Sequence, residues 1–74
     1  MIKNYTVIIE PGEDNWLVAT VPALPGCITQ GKTVDEVLKN VKEAIEAYLE
    51  SLQKNNQPIP EPDRINIKQV AVSV

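Results

Sequence analysis

The sequence predicts an α+β fold of order β-β-β-α-β: a four-stranded sheet with strand order 3-2-1-4 and one long helix packed on one face. Three observations predict it. A stretch in the middle carries apolar residues at helical spacing behind a strong N-terminal cap. Three segments before it and one after carry β-branched or alternating patterns bounded by Pro, Gly and Asn. The connections between the first three segments are short, which makes those neighbours antiparallel.

Lys3 to Glu10 reads as the first strand, with Tyr5, Val7 and Ile9 on one face and Asn4, Thr6, Ile8 and Glu10 on the other. Pro11 to Asn15 is a turn, with Gly12 and Asn15 available for positive φ. Trp16 to Val21 is the second strand. Pairing Ile9 with Leu17 sets Val7 against Ala19 and Tyr5 against Val21, so the odd-numbered residues form an apolar face for the helix. Pro22-Ala23-Leu24-Pro25-Gly26 breaks the ladder, with Leu24 tucked under the helix start. Cys27 to Gln30 is a short third strand.

Thr33 is the helix N-cap, and Glu36 three residues later completes a capping box by reaching back to the Thr33 N–H. Asp35 and Glu36 also favour the positive end of the helix dipole. Val34, Val37, Leu38, Val41, Ala44, Ile45, Tyr48, Leu49 and Leu52 draw one stripe, so the helix runs from Val34 to Gln53 or Lys54. Pro58 then disfavours helical geometry. Asn55 to Asp63, with Pro58, Pro60 and Pro62, reads as a stiff extended linker anchored by Ile59. Ile65 to Val74 is the fourth strand, placed beside the first by a right-handed crossover. Its apolar phase shifts from odd (Ile65, Ile67) to even (Val70, Val72, Val74), which calls either for a bulge near Lys68-Gln69 or for burial of the later half on both faces.

Seventy-four residues are expected to make a single domain, 1–74, with a marginal core. One cysteine excludes an internal disulfide, and the chain has no histidine. A subunit contact is therefore the expected supplement, giving a homodimer or higher oligomer. Neither a signal peptide nor a membrane span is read from the sequence, and a lone cysteine fits a cytoplasmic setting. Ten acidic against seven basic residues give net −3. That balance disfavours direct nucleic-acid binding and suits a basic protein partner.

Chemistry-bearing patterns are few. Cys27 lacks a neighbouring base and reads as a small buried residue. Asp35 and Glu36 are explained by helix capping. Gly26 and Gly31-Lys32-Thr33 match the spacing of a phosphate loop, but the residues between them are β-prone and the chain is too short for a nucleotide-binding sheet. No cofactor, metal or catalytic residue is expected. Glu10, Glu13 and Asp14 cluster at the hairpin turn, either as a solvated turn or as an acidic patch for a basic partner. Ile8, Trp16 and Val18 lie on the sheet face opposite the helix and are the expected oligomer face.

Tyr5-x-Val7-Ile8-Ile9-Glu10, Val21-Pro22-Ala23-Leu24-Pro25-Gly26-Cys27, Gln30-Gly31-x-Thr33-x-Asp35-Glu36-Val37, Glu43-Ala44-Ile45 and Pro58-Ile59-Pro60-x-Pro62 resemble the N-terminal domain of HicB antitoxins. The resemblance runs through nearly the whole chain in order. It implies a partial ribonuclease H-like fold, self-association, and a non-catalytic protein that neutralises HicA, a small basic mRNA-cleaving toxin. Many members continue into a DNA-binding module after this domain; none is expected here, and with it no direct DNA binding. The alternatives are a stand-alone HicB-like oligomeric module without a cognate toxin and a vestigial relative of ribonuclease H. The latter needs clustered carboxylates that the cap and turn acids do not supply.

Overall fold

The computed structural model describes residues 2–62 and 65–74. In chain order the elements are β1 (Ile8–Pro11), a 3-10 turn (Glu13–Asn15), β2 (Leu17–Thr20), β3 (Ile28–Gly31) and α1 (Val34–Lys54). The sheet has three strands in the order β1-β2-β3, and both pairs are antiparallel.

The expected fourth strand and the 3-2-1-4 order are therefore wrong for this chain. Residues 65–74 join no ladder, and Ile67, Val70, Val72 and Val74 are exposed. The phase change in this segment gives a physical reason. A single register buries either Ile65 and Ile67 or the three valines against the helix, never both sets. The bulge expected at Lys68-Gln69 has no ladder to interrupt. Asp63, the expected end of the linker, lies outside the described residues.

The first hairpin is shifted along the chain from its expected register. Ile9 pairs with Ala19 and Pro11 with Leu17, two residues from the predicted register. An even slip leaves every side chain on its predicted face. The loop closes through Gly12 N–H donating to the Trp16 carbonyl at 2.7 Å. Asp14 (φ 54°) and Asn15 (φ 65°) take the left-handed positions. Gly12 does not; its missing Cβ matters because one there would lie 2.8 Å from Val18 Cγ2.

Between β2 and β3 the Val-Pro-Ala-Leu-Pro-Gly-Cys segment folds into two turns that share Leu24. Leu24 N–H donates to the Val21 carbonyl and Cys27 N–H donates to the Leu24 carbonyl, each at 2.9 Å. Pro25 followed by Gly26 at φ 82° is the pair that a type II turn requires. Leu24 is thereby driven into the core with no exposed surface.

The helix begins where its cap predicts. Thr33 Oγ1 accepts from Glu36 N–H at 3.1 Å, while Glu36 Oε1 accepts from Lys32 N–H at 3.2 Å rather than from Thr33. Its end is a Schellman motif. Asn56 is left-handed (φ 54°), Asn56 N–H donates to the Gln53 carbonyl, and Gln57 N–H donates to the Leu52 carbonyl. Pro58 follows the stop and does not cause it.

Ala19, Val21, Leu24, Cys27, Val37 and Val41 form the core, with Tyr5, Val7, Ile9, Leu17, Ala44, Ile45, Tyr48 and Leu49 packed around it. The predicted stripe is too wide: Val34 and Leu38 are exposed. α1 lies over β3 and β2. A Cβ on Gly31 would stand 2.7 Å from Val37 N and 2.9 Å from its Cα, so only glycine lets the helix backbone approach this closely. Behind the helix, Tyr5 O–H donates to the Pro60 carbonyl at 2.8 Å and Lys3 pairs with Glu61 at 3.3 Å. The exposed ion pair adds only about 0–1 kcal/mol.

Two substitutions test this frame by urea denaturation. Thr33→Ala should lower stability by about 1 kcal/mol through loss of the cap. Gly31→Ala should cost about 1–3 kcal/mol, because backbone atoms cannot move aside as a side chain can.

Candidate functional site

The face of the sheet turned away from α1 is built by strand alternation. Ala19 is buried against the helix, so its ladder partners Ile9 and Thr29 share the helix side. The opposite face carries two rows. Ile8, Thr20 and Ile28 form one; Glu10, Val18 and Gln30 form the other. Ile28 is 60% exposed. Ile8, Val18 and Thr20 are half-buried, and Glu10 and Gln30 are exposed. The surface is mixed apolar and polar, with its acid at the hairpin end.

In the sequence the acidic turn and the apolar face are separate features. The ladder joins them, since Glu10 sits directly across from Val18 and in the same strand as Ile8. Glu13 and Asp14 continue beyond Pro11 in the 3-10 turn, and both are exposed. Trp16 is not free to act as an open apolar anchor. Lys32 Nζ lies 4.1 Å from its ring centroid and donates to the Asp14 carbonyl at 3.2 Å. This cation–π contact is worth about 0.5–1 kcal/mol at an exposed site. It ties the helix approach to the hairpin and sets one positive charge beside Asp14.

Two contributors escaped the sequence reading. Ile28 carries a usable signal, because a strand at 28–31 alternates in phase with Ile8 and Thr20. Lys32 carries none, because a lysine between a strand and a cap reads as solvated. The phosphate-loop spacing has a purely architectural basis. Ile28 to Gly31 form β3, Lys32 covers Trp16, and Thr33 caps the helix. Among the described residues, no group of three or more Cys, Asp or Glu side chains is arranged to hold a metal ion, and no helix is long and apolar enough to cross a membrane.

Residues 5–72 match the model of a family described as the HicB-like antitoxin of bacterial toxin–antitoxin systems. A UPF0150 protein of Thermoplasma acidophilum is 57% identical over 69 residues, covering 93% of this chain and 96% of that one. A UPF0150 protein of Synechocystis is 44% identical over 73 residues, covering 99% and 91%. Antitoxin HicB 1 of Photorhabdus laumondii is 34% identical over 64 residues, covering 84% of this chain but 41% of that longer protein.

Cys27, the one nucleophilic thiol, is buried in the core. Burial pushes its pKa up from the ordinary value of 9.0, the reverse of what a reactive thiol needs. A raised folded-state pKa stabilises the fold at pH below the unfolded value, and that contribution is lost as pH rises through the folded one. The slope is at most about −1.4 kcal/mol per pH unit. Between about pH 7.5 and about pH 10, the denaturation midpoint of the wild type should fall more steeply than that of Cys27→Ala.

Proposed function

The chain belongs to the HicB-like antitoxin family, and from that premise we propose that it neutralises a HicA-like, mRNA-cleaving toxin by covering that toxin's RNA-binding surface. The family match over residues 5–72 carries this reading. Charge supports it. An RNA-cleaving protein must attract phosphates, so its working surface is positive. This chain is net −3, and Glu10, Glu13 and Asp14 stand exposed at one end of the hairpin.

The proposed contact is the acidic turn together with the adjoining Ile8, Val18 and Ile28. The acids steer the approach, and the apolar rows exclude water once the partner is seated. The chain's part is occlusion and not catalysis: its thiol is buried, and the cap acids Asp35 and Glu36 start the helix. A toxin that acts on mRNA places this work in the cytoplasm.

Cleavage of RNA by a HicA-like toxin is the assay, titrated with wild type and with Glu10→Lys, Glu13→Lys, Asp14→Asn. Asparagine is chosen at position 14 because it tolerates the positive φ there. The wild type should inhibit cleavage. The triple variant should associate more slowly, on the order of tenfold at low salt, and lose salt dependence. Equal inhibition by both removes the acidic turn from the contact. Failure of the wild type to inhibit removes the antitoxin role and leaves a stand-alone HicB-like module.

A further inference from the structure

We propose that the Trp16 ring and the Asp14 carbonyl form a receptor for an arginine side chain of the basic partner, and that Lys32 fills this receptor in the free chain and is displaced when the partner seats. The partner's identity rests on the antitoxin reading; the cation receptor rests on the geometry of this chain.

The receptor adjoins the contact surface. Leu17 pairs with Gly31, so one step further Trp16 stands across from Lys32. Trp16 is extended (φ −77°, ψ 146°), which continues the alternation of β2. Gly12 N–H donates to the Trp16 carbonyl and carries the β1–β2 pairing to the same level. Gly12, Trp16 and Lys32 therefore extend the face away from α1 by one row beyond Glu10, Val18 and Gln30. Gly12 brings no side chain to that row.

The receptor already holds a cation. Lys32 Nζ sits 4.1 Å from the Trp16 ring centroid and donates to the Asp14 carbonyl oxygen at 3.2 Å. An aromatic face and a carbonyl oxygen that converge on one ammonium are the elements of a cation site. The hold is loose. Lys32 is exposed, and an exposed contact of this kind shifts an equilibrium only about two- to fivefold. Lys32 also leaves the charge of the turn uncompensated. Among the described residues the ion pairs are Lys3–Glu61 and Glu50–Lys54, so Glu10, Glu13 and Asp14 have no cation within pairing distance.

Arginine is the occupant that this arrangement favours over Lys32. Its guanidinium is flat and weakly hydrated, so it stacks on an indole where an ammonium only touches it. Its forked N–H donors serve the Asp14 carbonyl and leave others for the unpaired carboxylates of the turn. A partner's lysine gains little by replacing another lysine, so the exchange selects arginine. Displacement is local. The Lys32 backbone N–H donates to Glu36 Oε1 at 3.2 Å, so only the side chain swings and the helix start stays formed.

Trp16 is the chain's one tryptophan, so its fluorescence and its indole N–H signal report on the receptor. Hexa-arginine peptide is titrated into wild type and three variants at physiological ionic strength. The indole signal should move on binding, and hexa-lysine should bind wild type more weakly. Lys32→Ala should tighten binding about two- to fivefold by vacating the ring, Lys32→Arg should weaken it about twofold by filling the ring more firmly, and Trp16→Leu should weaken it about fivefold. Unchanged helical circular dichroism separates these effects from unfolding. A role of charge alone gives equal binding by wild type and Lys32→Arg, and a purely structural tie gives weaker binding by Lys32→Ala. Either result overturns the proposal, as does an indole signal that stays fixed at saturation or equal affinity for the two peptides. The same series is run with a HicA-like toxin, where the same rank order supports arginine exchange at the contact. A toxin that binds wild type without that order overturns the exchange and leaves the antitoxin reading intact. A toxin that does not bind, beside peptides that follow the order, removes the antitoxin reading and leaves the receptor.

Discussion

The close seating of α1 on the sheet is the constraint from which the rest follows. Val37 and Val41 meet Ala19 and Leu24 in a core of six buried residues. Each fully buried aliphatic side chain contributes about 1.5–3 kcal/mol, and a chain of this length has few to spare. The seam depends on what is missing from side chains: Gly31 has no Cβ to meet the Val37 backbone, and Ala19 is small. A larger residue at either place would lift the helix and open a void along the row that stabilises the chain most.

That seating also decides what stays uncovered. The helix crosses the β2–β3 side of the sheet and leaves the β1 side open. One layer of helix cannot shield both sheet faces, so the Ile8, Val18 and Ile28 surface is left to water or a partner. The two open regions differ in chemistry. One joins apolar rows to an acidic turn, which suits a positively charged protein. The other is a groove whose floor is apolar (Tyr5, Val7, Ile45, Leu49) and whose lining also holds charges of both signs (Lys3, Lys42, Glu46, Glu50). Lys32 separates these roles by holding Trp16 against the hairpin.

Legibility in the sequence followed the range of the interaction. The Thr33–Glu36 cap, the helix from Val34, the burial of Leu24 and the inward face of each strand are set by neighbours a few residues apart, and the residues announce them. The hairpin register differs from the expected one by two residues because the five-residue loop sits at positions 12–16 and not 11–15, with Asp14 and Asn15 taking its positive-φ positions. The Asn56 stop was hidden behind the more conspicuous Pro58. The acidic turn was visible as a cluster, but its continuity with Val18 and Ile8 exists only through cross-strand pairing.

By itself the sequence determined the element types, their order through α1, the faces they present and the family to which the chain belongs. Periodicity and capping are local, and a slip of two residues preserves the face of a strand. The tertiary structure alone decided that residues 65–74 stay out of the sheet, that Val34 and Leu38 remain exposed, and that Lys32 covers Trp16. Each depends on where the helix comes to rest relative to β1. That position is fixed by the depth of the Gly31–Val37 contact, a distance between chain segments that no periodicity in the residues encodes.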